Sequence, residues 1–339
     1  MHTTLFPTSV VGTRPEIELL LCCTRTYLDF EKAEQLKNLL EKDIDWTYLT
    51  QLALRHGVMP LLYFNLNNTC PNAVSKTTLE QYRSYFHTNT LHNLFLTSEL
   101  LKLLNMFAEH GIPAIPYKGP VLAASVYGNI TLRQFCDLDL LVHTQDFQKS
   151  RELLISQGYR HWHELGWEAG FINDNNRVHI DLHQRITPWY FPFQLDFDRL
   201  WQCLEPICLA STTVVNLSAE DLLLILCVQF SRDCFAKREQ LIKICDIAEL
   251  LRTRPTLDWK QVMEQAQILG CKRMLFLGLF LANHLLGAAL PDDVLQKIQT
   301  DLAVKSLGVQ ICDRMWQSKD CDRLVQKGDI LPNVFKGPL

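Results

Sequence analysis

The sequence predicts an α+β fold, a small mixed β-sheet flanked by N-terminal and C-terminal α-helical regions. Three observations carry this expectation. Apolar residues recur at helical spacing from Glu16 to about Leu104, short alternating segments fill the stretch from 111 to 190, and helical spacing returns from Ser218 almost to the end. The expected division is residues 1–110, 111–190 and 191–339.

In the first part, Leu19, Leu20, Cys23 and Tyr27 fall at helix spacing, and Ala33, Leu36, Leu39 and Leu40 continue it. Asp45 ahead of Trp46 reads as a helix start, and the Cys70-Pro71-Asn72 run as a loop. A long helix is expected from about Thr77 to His110. Asp45-Trp46 has a weak echo in Asp258-Trp259, which similar capping and packing explain as well as duplication does.

In the middle part, Gly111 ends the long helix, 114–117 forms a short strand and 120–127 a helix. Cys136–Val142 is a strand, 146–157 a helix, and 159–165, 169–173 and 178–183 are strands. Asp174-Asn175-Asn176 supplies the hairpin turn between the last two. Aromatic-rich turns follow Pro188, and Glu220 and Asp221 favour a helix start at Ser218.

The chemistry concentrates between Ile115 and Val142. Side chains alternate across a strand, so Asp137 and Asp139 share one face while Leu138 and Leu140 meet the core. Two carboxylates at this interval lie roughly 6.5 Å apart along the strand, close enough to hold one or two divalent ions. Aspartate is depleted from strands, and a hard cation is the simplest reason for a pair there. Asp181 sits on the polar face of Val178–His183, where Val178, Ile180 and Leu182 alternate with His179, Asp181 and His183. If the two strands are neighbours, three carboxylates converge on one metal site. Clustered carboxylates repel, so replacing Asp139 by Asn is expected to spare the fold and even to raise stability without metal.

Lys118-Gly119, Arg133, the run Asp137-Leu138-Asp139-Leu140-Leu141-Val142, and an isolated Asp181 in a strand ending Leu182-His183 together resemble a poorly characterised nucleotidyltransferase family of the polymerase-β-like superfamily. The resemblance extends into both flanking helical regions. The wider superfamily opens with Gly-Ser at a helix start. Lys118-Gly119 stands there instead, so the usual serine hydroxyl is missing and Lys118 is its expected replacement. The resemblance implies a nucleotidyltransferase core and an enzyme that moves a nucleoside monophosphate, AMP from ATP, to an unidentified acceptor with two Mg²⁺ ions. Asp137, Asp139 and Asp181 would be the catalytic metal ligands, with Asp181 also drawing the proton from the acceptor. Lys118 and Gly119 would hold the nucleotide at a helix N-terminus. Arg133 is expected to contact phosphate or to pair with one of the aspartates.

Composition bounds the rest. The 339 residues suffice for two or three domains, and 47% hydrophobic content fits buried cores. A formal charge of −4 does not favour nucleic acid as a partner, and the resemblance implies a small molecule, peptide or protein as acceptor. Arg232, Lys237, Arg238 and Lys243 on the C-terminal helices could border the nucleotide, and read otherwise as a solvated face. The 12 cysteines show no C-x-x-C pair, and several lie in apolar helical runs, as buried free thiols do. With an N-terminus lacking a basic and then apolar leader, they favour a reducing, cytoplasmic setting. Met274–Leu290 is too short and too polar for a membrane span and reads as a core helix.

Two other readings stay open at this point. The fold could serve as a binding module without turnover. Alternatively, His179, Asp181 and His183 could form a two-His, one-carboxylate iron site.

Overall fold

The computed structural model describes residues 14–317 apart from residue 192. Its sheet is built where the alternation placed it. Five strands, β1 (Ala114–Pro116), β2 (Asp137–Val142), β3 (Arg160–Glu164), β4 (Glu168–Ile172) and β5 (His179–His183), lie in the order β1-β2-β5-β4-β3. The β2–β5 pair is parallel and the other pairs are antiparallel, which makes the sheet mixed.

One face of this sheet is apolar because Leu138, Leu140, Ile180, Leu182 and Phe171 occupy alternate positions, each 0 or 1% exposed. Against it pack Leu96, Leu100, Leu103 and Phe107 of a 34-residue helix, α5 (Lys76–Glu109), and Leu153 and Leu154 of α7 (Phe147–Ser156). Ser75 caps α5 by accepting from Thr78 N at 3.1 Å. Asn93 of the same helix is fully buried and donates to the carbonyls of Ile130 and Arg133 at 2.6 and 2.8 Å. These bonds tie down the loop that delivers the chain into β2.

Four helices precede α5: α1 (Pro15–Cys23), α2 (Phe30–Leu40), α3 (Trp46–Arg55) and α4 (Met59–Thr69). After β1 comes α6 (Gly119–Tyr127). Following the sheet are α8 (Phe197–Gln202) and then α9 (Ala219–Phe235), α10 (Leu241–Thr253), α11 (Trp259–Ile268), α12 (Lys272–Leu286), α13 (Asp292–Thr300) and α14 (Leu302–Gln317). Helices α1–α4 and α9–α14 share a single apolar core, with Leu19, Leu49 and Leu61 buried in the same cluster as Leu223, Leu250 and Leu279. The α6 helix joins this core to that of the sheet, giving Leu122 and Val126 to the helical cluster and Val121 and Ala123 to the sheet cluster.

Asp45 and Asp258 cap α3 and α11 in the same way, accepting from Tyr48 N and Gln261 N. The echo in sequence thus corresponds to a shared capping geometry. Among the described residues no helix is long and apolar enough to cross a membrane, and α12 is a core helix of 15 residues.

The structure departs from expectation in two places. Tyr27, expected within a helix, is 77% exposed beyond the end of α1. Residues 205–216, where only turns and a helical continuation were expected, form an antiparallel hairpin of β6 (Glu205–Leu209) and β7 (Thr212–Asn216). The run of Thr212, Thr213, Val214 and Val215 supplies the β-branched residues that a strand favours. The looseness expected for residues 328–339 concerns a segment outside the described residues, as do residues 1–13.

Candidate active site

Parallel pairing of β2 with β5 sets Asp139 directly opposite Asp181 and Asp137 opposite His179. Because β4 pairs with β5 on the other side, Glu168 stands opposite His183 and Gly170 opposite Asp181. All these residues sit on the face turned away from the apolar core. A Cβ on Gly170 would lie 2.2 Å from the His163 ring, so the missing side chain makes room for that imidazole above the strands.

Asp139 is the most constrained member. It is 4% exposed, and its Oδ1 receives Lys118 Nζ at 2.9 Å, His183 Nε2 at 3.1 Å and the Tyr117 hydroxyl at 3.4 Å. The Tyr117 oxygen in turn accepts from Gln229 of α9 at 3.3 Å. On its other side, His183 Nδ1 lies 3.3 Å from Glu168 Oε2. The imidazole thus lies between two carboxylates, bonded to Asp139 on one side while its Nδ1 makes no hydrogen bond. Burial disfavours ionisation of Asp139, but Lys118 and His183 outweigh it and hold the carboxyl well below the usual range. Burial acts against the charge of Lys118 too, and the attraction of Asp139 and Asp137 overcomes it, raising the lysine above its ordinary value.

The other two aspartates are pushed the opposite way. Burial and then the charge of Asp139 raise Asp137. Burial, Asp139 and Asp137 push Asp181 up to about 7. Negative charge is thus crowded beyond what Lys118 neutralises. Ligand atoms of Asp139, Asp181 and His183 lie within 4.8 Å of one another. The donor set fits a divalent cation, since hard oxygens dominate it and added positive charge relieves the repulsion. Asp137 lies outside this cluster of three but shares its face two residues earlier on β2.

Gly119 opens α6 at a φ of 53°, in the left-handed region, and a Cβ there would come 3.2 Å from the Asp137 carbonyl oxygen. Glycine is needed on both counts. Its position brings the first turn of α6 against the start of β2, so Lys118 and the helix N-terminus border the carboxylates.

Arg133 is placed elsewhere. It was expected to contact phosphate or to pair with a strand aspartate. Instead its Nε and Nη2 donate to the two oxygens of Asp246 on α10 at 2.7 and 2.9 Å, and Asp246 also accepts from the Tyr127 hydroxyl at 2.7 Å. Arg133 and Asp246 are 8 and 2% exposed. The guanidinium is committed to a buried pair that fastens the loop before β2 to the helical core.

The carboxylate face forms one side of a cleft of about 1170 Å³. Asp137, Asp139, Asp181, His183, Lys118 and Glu168 line it, while His179 does not. The His179 ring instead stands edge-on to Trp162, with centroids 6.4 Å apart. The two-His iron reading therefore loses one of its histidines from the group that could hold a metal. The same cleft is lined by Arg232, Lys237, Arg238 and Lys243, joined by Arg55 and Arg314. Of the two sequence readings for these four residues, a border of the nucleotide site or a solvated face, the cleft lining agrees with the first.

Sequence reasoning missed Tyr117, Glu168, Gln229 and the partnership of Arg133 with Asp246. Glu168 was within reach, because the alternation of Ala169 and Phe171 extends one residue earlier and puts Glu168 on the polar face. Nothing local marks the others.

Residues 42–287 match the family described as uncharacterised nucleotidyltransferase. No curated protein matches the chain. Solved structures similar to it include the antibiotic-resistance factor ANT(2'')-Ia, at 13% identity, with 52% of this chain and 91% of that chain covered and a TM-score of 0.39. The lincosamide antibiotic adenylyltransferase LnuA is 18% identical over 45% of this chain and 94% of that one, with a TM-score of 0.32. An antigenic nucleotidyltransferase-like protein from Paracoccidioides brasiliensis is 15% identical over 61% of this chain and 96% of that one, with a TM-score of 0.33. With the family match spanning both the carboxylate strands and the helices around them, the chain belongs to the family of uncharacterised nucleotidyltransferases.

Proposed function

We propose that the cleft transfers a nucleoside monophosphate, AMP from ATP, to a hydroxyl-bearing acceptor, with Mg²⁺ held by Asp137, Asp139 and Asp181. The observation that carries this reading is the register of β2 and β5, which sets Asp139 opposite Asp181 with Asp137 two residues away, beside Lys118 at the start of α6. Family membership supports the reaction type.

The bound ions would neutralise the triphosphate and lower the barrier to displacement at its α-phosphorus. The chain's own residues do the rest. The first turn of α6, opened by Gly119, turns backbone N–H groups toward the phosphates. Lys118 now neutralises Asp139, and once a cation takes over that task its ammonium can reach a phosphate oxygen. His183 and Tyr117 fix the rotamer of Asp139 from two sides. Asp181, opposite Asp139 in the register, is placed to take the proton from the acceptor hydroxyl. The acceptor oxygen bonds to the α-phosphorus, the bond to the bridging oxygen breaks, and pyrophosphate leaves.

The test is incubation of the purified protein with α-labelled nucleoside triphosphates, Mg²⁺ and a cell extract. Label from ATP should appear in an acceptor with wild-type protein and vanish with Asp139→Asn. Transfer that survives this substitution, or that Asp181→Asn leaves unchanged, would refute the reading.

A further inference from the structure

The cleft has two unlike sides. The sheet side is acidic, with Asp137, Asp139, Asp181 and Glu168 around the single cation Lys118. A second group of lining residues makes a basic wall, with Arg55, Arg232, Lys237, Arg238, Lys243 and Arg314 against two carboxylates, Asp233 and Glu239. In a chain of net charge −4 this is a local reversal. Both wall carboxylates are already engaged. Asp233, 3% exposed, accepts from Arg232 at 3.3 Å and from Lys243, and Glu239 accepts from Arg314 Nε at 2.8 Å. Arg55, Lys237 and Arg238 are left without an ion pair among the described residues.

The backbone here is fixed rather than slack. Arg238 N donates to the Asp233 carbonyl at 2.8 Å. Lys237 holds a φ of 54°, a conformation disfavoured for a residue with a Cβ and one that persists where the surrounding structure enforces it. The turn presents to the cleft two cations that have no ion pair among the described residues, and Arg55 at the end of α3 lines the same cleft.

We propose that this wall is the anion subsite for the acceptor: besides the hydroxyl that is modified, the acceptor carries a phosphate or carboxylate group, and Arg55, Lys237 and Arg238 hold it. The inference rests on the transfer reading above. The donor's phosphates have their own cations on the sheet side, in Lys118, the α6 N-terminus and the ions held by the aspartates. At about 1170 Å³ the cleft lies just above the roughly 300–1,000 Å³ usual for a pocket that holds one ligand. Guanidinium groups match phosphate and carboxylate through paired N–H donors, and a cationic acceptor would be repelled. Tyr190 and Phe235 line the same cleft at 62 and 86% exposure and offer apolar surface to the acceptor's body.

The test uses the intact protein saturated with Mg²⁺ and a non-hydrolysable ATP analogue, into which inorganic phosphate and, separately, acetate are titrated with calorimetric detection. One of the two anions should bind the nucleotide-filled protein. Arg238→Glu and the double variant Lys237→Gly/Arg238→Ala should each weaken it tenfold or more, with nucleotide affinity changed less than twofold. Preference for phosphate assigns a phosphorylated acceptor, and preference for acetate a carboxylated one. The double variant keeps the turn by placing glycine at the left-handed position, and circular dichroism checks its fold. Failure of both anions to bind once nucleotide is present would overturn the proposal, and so would a parallel loss of nucleotide affinity, which would assign the wall to the donor's triphosphate. A wild-type protein that binds no nucleotide at any Mg²⁺ concentration would instead overturn the transfer reading, and the acceptor assignment with it.

Discussion

Arg133 and Asp246 form a bidentate ion pair across 113 residues of chain, buried at the junction of the sheet core and the helical core. Removing one partner strands the other charge in a medium that cannot solvate it. Asp246→Ala should therefore cost about 3–5 kcal/mol. Arg133→Met combined with Asp246→Leu should restore most of that loss, since a buried pair can give way to apolar residues at little cost. Denaturant midpoints of the three proteins decide it. An Asp246→Ala protein as stable as wild type would show that the pair does not fasten the loop.

The three aspartates should respond differently to neutralisation in the metal-free protein. The repulsion argument from sequence predicts a stability gain for Asp139→Asn, and the geometry reverses that sign. Lys118 and His183 hold Asp139 below the usual carboxylate range, so its ionised form stabilises the fold, and Asn removes that contribution. Asp181 is raised, so its ionised form works against folding at neutral pH. In EDTA at pH 7.5, Asp139→Asn should lower Tm and Asp181→Asn should raise it. Turnover with Mg²⁺ should fall in both, by roughly 10²–10³ or more for Asp139→Asn, the range for loss of one preorganised electrostatic contact. A Tm rise for Asp139→Asn would restore the simpler repulsion argument.

Gly119→Ala should disturb the phosphate end of the site. The positive φ alone costs roughly 1–2 kcal/mol for a residue with a Cβ, and the new methyl must also push against the Asp137 carbonyl at 3.2 Å. Melting temperature should fall and nucleotide affinity should weaken, read by calorimetry. Unchanged affinity would separate the α6 N-terminus from nucleotide binding.

The contribution of His56 to stability should decline on mild acidification. This residue is fully buried between α3 and α10, with Nδ1 accepting from Leu241 N at 3.2 Å and Trp316 edge-on at 5.2 Å. Burial, helped by the neighbouring Arg55, pushes its pKa down to about 3. The unfolded chain takes up a proton as pH falls below about 6.5 while the folded one does not, so stability present above that value is lost progressively toward pH 3. By pH 5 the loss is roughly 2 kcal/mol. Urea denaturation of wild type and His56→Gln at pH 7 and pH 5 should show it as a change in the stability difference between the two proteins, because Asp181, pushed up to about 7, shifts both the other way over that range. A difference that stays the same at both pH values would assign no loss to His56.

Reductant should leave the melting temperature unchanged. The described cysteines are all free thiols, and Cys23, Cys227, Cys245 and Cys271 are fully buried within helical packing. A marked fall in Tm on reduction would reveal a disulfide.

What the sequence made legible was local. Alternation in Val178–His183 and in Cys136–Val142 placed two strands and the polar face of each, because a period of two is a property of neighbouring residues alone. The long helix α5 was found within a residue or two for the same reason. The pairing of β2 with β5 could be stated only as a condition, since register belongs to two segments some forty residues apart. Arg133 shows the limit most clearly. Four residues before Asp137, it looked like a partner for that strand, yet its carboxylate lies on α10. The hairpin 205–216 was overshadowed by the aromatic run before it, although Thr212–Val215 carried the strand signal.

The core shared by α1–α4 and α9–α14 has a consequence for synthesis. Arg25 donates to the Leu286 carbonyl at 3.0 Å, across 261 residues, and Ile242 N donates to the His56 carbonyl at 3.1 Å. As the chain leaves the ribosome, the first four helices can cover one another only in part and must wait for α12 before that apolar surface is sealed. The sheet core, drawn from residues 96–214, can close sooner. Contacts of such sequence separation form late and leave apolar surface open to aggregation in the interval. The helices that help wall the cleft are among the first made and the last secured.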